Sequence, residues 1–194
     1  MSRWEPNALE RLQQAAYELY TERGYDQTTV AEIAARAGLT ERTFFRHFAD
    51  KREVLFAGGD RFRATLVDAV NAAPASATPM EAIIAGVEAA GFVFAARPMV
   101  RARQELILAN PELQERELIK LASVSAGLAE ALRRRGVSPT AAELAAETGV
   151  AVLRIALTRW LEDRTERSWE VHVREAMAEL RRLTAEPSVA GLPS

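Results

Sequence analysis

Residues 39–56, LTERTFFRHFADKREVLF, place four phenylalanines among basic side chains. The basic residues are Arg42, Arg46, Lys51 and Arg52, with Glu41 and Asp50 as nearby acidic residues. Guanidinium and ammonium groups donate hydrogen bonds to phosphate oxygens and to base edges, so this segment has the chemistry of a nucleic-acid contact. The net charge of the chain is −2. Because charges act over about 8–10 Å at physiological ionic strength, the local arrangement of this segment matters more than that total.

Apolar residues that recur every three or four positions indicate an all-α fold. Residues typical of helix caps precede a carboxylate by three positions at Asn7, Thr29, Asp50 and Thr78, and glycines typical of helix ends are Gly24, Gly38 and Gly136. The predicted helices are 7–23, 29–37, 40–48, 51–72, 79–96, 99–109, 111–135, 139–164 and 168–184. We expect a first domain in residues 1–56, linked through helix 51–72 to a second domain in 73–185, and a flexible tail in 186–194.

The helices predicted at 29–37 and 40–48 are joined by a tight turn, Gly38-Leu39-Thr40. Phe44 and Phe48 are four positions apart and are therefore predicted to share one buried face, which leaves the cations between them outside. Two helices joined by a short turn that contains glycine form a helix-turn-helix, whose second helix enters the major groove of DNA. The spacing thus predicts a DNA-binding unit.

Residues 5–56 resemble the DNA-binding domain of the TetR family of transcriptional regulators. The resemblance rests on a first helix that ends at Gly24-Tyr25 and on the stretch TTVAEIAARAGLTERTFFRHFADKREVLF. It implies a helix-turn-helix domain followed by a ligand-binding and dimerisation domain. It also implies a cytoplasmic, sequence-specific regulator that binds a palindromic operator in double-stranded DNA, as a homodimeric repressor released by a ligand.

Side-chain chemistry predicts how individual residues contact DNA. Arg42 can bind a guanine edge through two hydrogen bonds. Lys51, at the start of predicted helix 51–72, is expected to bind a phosphate beside the helix amides. Thr43 is expected to contact a thymine methyl group or a phosphate, whereas Thr29 and Thr40 are helix caps first and phosphate contacts second.

The resemblance adds three positions to this DNA-binding set. Arg46 and His47 resemble positions at which the family contacts the DNA backbone. Phe45 stands where the family usually has a tyrosine, so a hydrogen bond to phosphate is lost and apolar contact remains.

An all-α enzyme or binding module, and a ligand-independent architectural DNA binder, are the alternative functions. No Gly-x-Ser-x-Gly, HExxH or glycine-rich phosphate loop occurs, and carboxylates such as Glu162 and Asp163 lie beside arginines, as in ion pairs. With two histidines and no cysteine we expect no metal site and no cofactor. The most apolar region, 82–96, contains Glu88 and is too short for a bilayer, so no membrane partner is expected.

The C-terminal two-thirds is predicted to dimerise and to bind a ligand. Small residues on helix 139–164 and an apolar stripe on helix 168–184 resemble the family's dimer interface. Residues 102–137 resemble a subgroup that binds acyl-CoA-like or other lipophilic ligands, which implies a small lipophilic ligand and an arginine for an anionic head group. The predicted ligand-binding residues are Phe62, Leu66, Val87, Phe94, Arg103, Leu106, Ile107 and Trp160.

Overall fold

The computed structural model describes residues 8–94 and 97–185, except for the side chains of residues 93 and 94. Over these residues it contains α-helices and two 3₁₀ helices without a strand, which confirms the predicted all-α fold. The α-helices are α1 (Ala8–Arg23), α2 (Val30–Arg36), α3 (Glu41–His47), α4 (Gly59–Ala72), α5 (Pro79–Ala89), α6 (Arg97–Ala109), α7 (Pro111–Arg134), α8 (Pro139–Glu162) and α9 (Trp169–Thr184).

No single helix in the described ranges is long and apolar enough to cross a membrane. The bent pair Pro79–Phe92 and Arg97–Ala109 meets the criterion jointly, by length and composition alone.

Local hydrogen bonds explain several helix ends that the sequence predicts. Thr29 caps α2 and Thr78 caps α5, each with the reciprocal bond from the glutamate three residues later. Gly38 and Gly136 follow α2 and α7 with positive φ, and their neighbours close a 6→1 bond, as in Leu39 N–H to Ala34 O at 2.8 Å. Asn7, the predicted cap of the first helix, lies outside the described residues.

The predicted continuous helix 51–72 is wrong. Residues 51 and 52 form a turn, Glu53–Phe56 is a 3₁₀ helix, and α4 begins only at Gly59. Val54, Leu55 and Phe56 are all buried, and three consecutive residues cannot all lie on one face of an α-helix. Gly58 then adopts φ +85°, a left-handed conformation that ends the 3₁₀ segment before α4.

The two adjacent glycines at this break are expected to respond differently to substitution. Gly58→Ala should lower the free energy of unfolding by about 1–2 kcal/mol, because its left-handed backbone penalises a Cβ atom. Gly59→Ala should be neutral or slightly stabilising, since Gly59 has no positive φ and a Cβ atom there meets nothing within 4 Å. Urea unfolding of both variants measures the difference, and equal values would contradict a backbone role specific to Gly58.

The predicted helix 79–96 also ends early. The α-helix stops at Ala89 and continues as a 3₁₀ helix over Ala90–Phe94. At Gly91 a Cβ atom would stand 2.5 Å from Cδ1 of Trp169, so only glycine allows this close approach to α9. Trp169 also donates from Nε1 to Val87 O at 2.9 Å, which fixes the end of α5 against the start of α9.

The helices form two compact units, each made of two separate stretches of chain. Among the described residues, unit 1 comprises 8–62 and 97–123, and unit 2 comprises 63–94 and 124–185. These units differ from the contiguous division predicted at residue 56, because α6 and the first half of α7 fold with the N-terminal helices. Ile107 and Leu113, both fully buried, join Phe44, Phe48 and Phe56 in one core cluster of unit 1.

Unit 2 has α5, α8 and α9 at its centre. Of the small and apolar residues of α8 and α9 predicted to meet a second chain, Leu180 is half-buried and the others are instead buried within this one, namely Ala142, Ala145, Ala146, Gly149, Ala156, Trp160, Val173, Ala176 and Met177. Gly149 lies so close to Ile83 of α5 that a Cβ atom would collide with its side chain. For α8 the predicted interface face is therefore wrong, because this face packs against α5.

Candidate nucleic-acid interface

The short helix α3 has sharply different inner and outer faces. Phe44 is fully buried and Phe48, at the C-cap, is 5% exposed, whereas Arg42, Phe45 and Arg46 are exposed. The rings of Phe44 and Phe48 lie 5.4 Å apart inside the core of unit 1. The helix is thereby held by its phenylalanines with its arginines turned to solvent, as the spacing predicts.

Hydrogen bonds fix the start of α3. The Thr40 hydroxyl accepts from Thr43 N at 3.2 Å and lies 3.1 Å from the Thr43 hydroxyl. Thr29 is bound similarly at the start of α2, where its hydroxyl donates to Glu32 and accepts from the Glu32 amide. The capping roles predicted for Thr29 and Thr40 are therefore confirmed, and their phosphate contacts stay predictions.

Arg42 and Arg46 are the cations of the outer face of α3. Among the described residues Arg42 has no hydrogen bond or ion pair, so its guanidinium is available to a ligand. Arg46 Nη2 lies 3.5 Å from Nε2 of half-buried His47. One turn of helix separates the two arginines, which therefore present positive charge along one side of α3.

Lys51 faces the protein rather than solvent. Its ammonium donates to the carbonyl oxygens of Tyr25 at 2.9 Å, Asp26 at 3.3 Å and Thr28 at 3.0 Å. The same nitrogen lies 4.3 Å from the centroid of the Tyr25 ring. An ammonium group has three N–H donors, and all three are directed to the loop before α2. Its predicted place at a helix N-terminus is wrong, and in this structure Lys51 positions that loop.

Carboxylates of unit 1 hold the 3₁₀ segment in place. Burial raises the pKa of Asp50, but hydrogen bonds from the side chain and backbone of Arg52 outweigh it, so the pKa lies below its ordinary value. The pKa of Glu53 is lowered in the same way, since hydrogen bonds from Arg116 and Lys120 outweigh the effect of burial. Both groups are therefore anionic at neutral pH, and their stabilising contribution is lost as pH falls through these lowered values.

Residues of α6 and α7 bind the segment that follows α3. Arg116 pairs with Glu53, and Lys120 Nζ lies 3.2 Å from Glu53 Oε2. Arg103 donates from Nε to Leu55 O at 2.9 Å, and its guanidinium lies 4.9 Å from the Phe56 ring centroid. A second nitrogen of Arg103 bonds Glu117 at 3.3 Å. Neighbouring residues in the sequence do not indicate the contacts that Arg103, Arg116 and Lys120 make with the 3₁₀ segment, because the partners lie far apart along the chain.

The predicted ligand-binding residues divide between the two units. Arg103, Leu106 and Ile107 belong to unit 1. There Leu106 and Ile107 pack in the core cluster, and Arg103 binds Leu55 O and Glu117. Phe62, half-buried, also falls in unit 1. The side chain of Phe94 lies outside the described residues.

The other three candidates, Leu66, Val87 and Trp160, belong to unit 2, where Val87 lies on α5 itself. All three are buried. Leu66 O lies 2.9 Å from a Cβ atom placed on Gly86, and the rings of Trp160 and Trp169 meet edge to face at 6.4 Å. Trp169 contacts both Val87 and Trp160, and it is not among the ligand-binding residues predicted from the sequence. The repeated spacing of aromatic and apolar residues on α9 could have indicated it.

Two surface cavities lie away from these candidates. One, of about 600 Å³, lies between α1 and the end of α2, and the other, of about 360 Å³, lies between α5 and α9. Their linings include none of the predicted ligand-binding residues.

The carboxylate of Asp163 has structural partners. Asp163 accepts from the amide and hydroxyl of Thr165 at 2.7 and 2.5 Å and from Arg167 Nε at 3.0 Å. The hydrogen bonds from Thr165 hold the pKa of Asp163 below its ordinary value. Nε2 of buried His172 lies 3.0 Å from the same carboxylate. Within the described ranges no three metal-ligating side chains come together.

A helix-turn-helix with a cationic outer face defines a class of DNA-binding proteins, and comparison with known proteins identifies the family. Residues 12–57 match the model of the "Bacterial regulatory proteins, tetR family", and residues 77–185 match the "MftR C-terminal domain". The chain belongs to the TetR family of bacterial transcriptional regulators, which confirms the resemblance seen in its sequence.

One sequence relative is the HTH-type transcriptional regulator TcmR of Streptomyces glaucescens, 36% identical over 74 residues. That match spans 38% of this chain and about a third (33%) of TcmR.

Two solved structures share the fold at lower identity. FadR of Bacillus subtilis, in complex with stearoyl-CoA, is 18% identical with a TM-score of 0.61, covering 88% of this chain and 96% of that one. SmeT of Stenotrophomonas maltophilia, in complex with triclosan, is 20% identical with a TM-score of 0.62, covering 97% and 100%.

Proposed function

We propose that this protein is a sequence-specific, DNA-binding transcriptional regulator that acts as a homodimeric repressor and is released by a small lipophilic ligand. The observation that carries the proposal is the exposed pair Arg42 and Arg46 on a helix whose other face is locked into a hydrophobic core. Such a helix can enter the major groove without rearrangement, with arginine at base edges and at phosphates. Thr43, Phe45 and His47 complete the proposed DNA-contacting set on α3.

Selection of bound duplexes from a random DNA pool, at a stated salt concentration, tests the proposal. An enriched palindrome would support the regulator, and salt-sensitive binding without an enriched sequence would favour the architectural alternative. Absence of binding by ligand-free protein would contradict DNA recognition. Repression is then tested with a reporter gene placed behind the selected palindrome, whose expression should fall when the protein is present.

A second copy of the chain is the partner that fits the outer face of α8. Leu144 is 65% exposed and Ile155 is 51% exposed, with half-buried Thr148 and exposed Ala151 between them. These four residues follow one another at spacings of four, three and four, so two large apolar side chains flank two smaller ones along one stripe. Such a stripe is suited to packing against another helix. A two-fold dimer formed through it would supply two copies of α3 for half-sites about 34 Å apart.

Replacing Leu144 and Ile155 together by glutamate is expected to give a folded monomer that no longer binds the palindrome tightly. Charged residues on both sides of a two-fold interface repel one another and bury poorly. Sedimentation equilibrium and DNA affinity measure the two effects. Leu108→Glu is the matched control, since Leu108 is equally exposed at 65% but lies on α6. A double variant that remains dimeric would show that the interface lies elsewhere.

The proposed ligand is a lipophilic molecule such as a long-chain acyl-CoA. FadR of B. subtilis was solved with stearoyl-CoA and SmeT with triclosan, which supports this class of ligand. In unit 2 the apolar set Leu66, Val87 and Trp160 is the proposed contact. A tenfold loss of operator affinity requires the ligand to favour the non-binding state by about 1.4 kcal/mol.

Tryptophan fluorescence offers a direct measurement of ligand binding, because Trp160 and Trp169 are buried together in unit 2. Titration with stearoyl-CoA, with free coenzyme A as control, should change the emission of the wild type. Unchanged emission together with unchanged operator affinity would contradict an acyl-CoA ligand.

A further inference from the structure

Phe45 is an aromatic side chain on the outer face of α3. It is 55% exposed, while Phe44, the preceding residue, is fully buried. Arg42 lies three positions before it and Arg46 directly after it, and both are exposed. Residues three apart on a helix are neighbours on one face, so the ring of Phe45 lies beside the arginine predicted to read a base.

The ring of Phe45 contacts the ring of Phe44. Its centroid lies 5.5 Å from that of Phe44 with an interplanar angle of 83°, an edge-to-face arrangement that is favourable for aromatic pairs. Because Phe44 is fixed in the core of unit 1, this contact restricts the outer ring. Phe45 therefore packs on the core through one edge and exposes the rest of its ring on the outer face of α3.

The chemistry of a phenyl ring limits what it can recognise in the major groove. It has no hydrogen-bond donor or acceptor, so it matches neither phosphates nor the polar atoms of base edges. The 5-methyl group of thymine is the apolar feature that the major-groove edges of the bases present. A half-exposed ring beside Arg42 on the outer face of α3 is thus complementary to a thymine rather than to the backbone.

We propose that Phe45 determines part of the sequence specificity by packing on the 5-methyl group of one thymine in each half-site. The inference rests on the proposed function and adds to it the base that this residue selects. Arg42 and Phe45 would then read adjacent parts of a half-site, one by hydrogen bonds and the other by apolar contact.

Replacing thymine by deoxyuridine, one position at a time in the selected duplex, tests the proposal, since the exchange removes only the methyl group. For the wild type, affinity should fall about fourfold per half-site at one thymine, the equivalent of one buried methyl group. Phe45→Ala should bind the thymine duplex less tightly and should lose the difference between thymine and deoxyuridine. Phe45→Leu, which keeps an apolar side chain, should retain part of it.

Phe92→Ala is the matched control, because Phe92 is also exposed, at 45%, but lies in the 3₁₀ helix after α5. It should keep the full thymine preference. A wild type insensitive to every deoxyuridine, or a Phe45→Ala variant as sensitive as the wild type, would overturn the inference while sequence-specific binding stands. If the wild type bound no specific sequence, the proposed function itself would fail.

Discussion

Replacing Ile107 by alanine is expected to lower the free energy of unfolding by about 2–5 kcal/mol and to weaken DNA binding in parallel. Ile107 is fully buried and belongs to the same core cluster as Phe44, the buried residue of α3. Removing its side chain leaves a cavity in the core cluster that includes Phe44 of the helix-turn-helix, because a packed interior relaxes only partly. As domains are stable by about 5–15 kcal/mol, a loss of this size is large.

The measurement is urea unfolding together with operator affinity at two temperatures. Leu108→Ala is the control, since the neighbouring residue is 65% exposed and its truncation should change stability by no more than about 0.5 kcal/mol. If the two variants were equally stable, Ile107 would not be part of the core that supports α3. Operator affinity should fall more steeply with temperature for Ile107→Ala than for the wild type.

Replacing Arg42 by alanine is expected to cost about 1–3 kcal/mol per half-site and to relax the base preference at one position. The guanidinium is exposed and has no protein partner in the described structure, so its removal should leave the fold intact. Arg42→Lys separates charge from shape, because lysine keeps the positive charge but cannot form the bidentate bond to guanine. We therefore expect Arg42→Lys to keep the salt dependence of binding and to lose discrimination.

Affinities for the selected duplex and for each single base-pair variant, measured at several salt concentrations, give both quantities. A loss that is uniform across all sequences would identify Arg42 as a phosphate contact. Full discrimination by Arg42→Ala would show that another residue reads the base.

The features that the sequence predicts correctly depend on neighbours along the chain. Thr29 and Thr78 begin helices because their hydroxyls reach amides three residues away, and Gly38 ends α2 because its own backbone is left-handed. The inner and outer faces of α3 follow from the four-residue spacing of Phe44 and Phe48. These interactions join residues only a few positions apart, so the pattern of residue types in the sequence predicts them.

The features that the sequence leaves open depend on partners far along the chain. A stripe of small residues on α8 suits contact with a helix of the same chain or of another chain. The position of Ile83, against Gly149, shows that here the stripe contacts a helix of the same chain. The sequence shows that Lys51 carries a positive charge but not what this charge contacts. In the structure its ammonium group donates to three carbonyl oxygens of a preceding loop. Likewise, the apolar face of α6 does not reveal that Ile107 packs with the N-terminal helices.

The discontinuous make-up of unit 1 constrains how this protein can acquire a new DNA specificity during evolution. Recombination at residue 57 would separate Phe44 and Leu55 from Ile107 and Leu113, with which they share a core. A hybrid gene would then inherit two halves of an interior that had not adapted to each other. Point mutations at the outer positions of α3, the proposed DNA-contacting face, avoid that mismatch, so we expect them to change the operator preference at a lower cost in stability than transfer of the N-terminal segment.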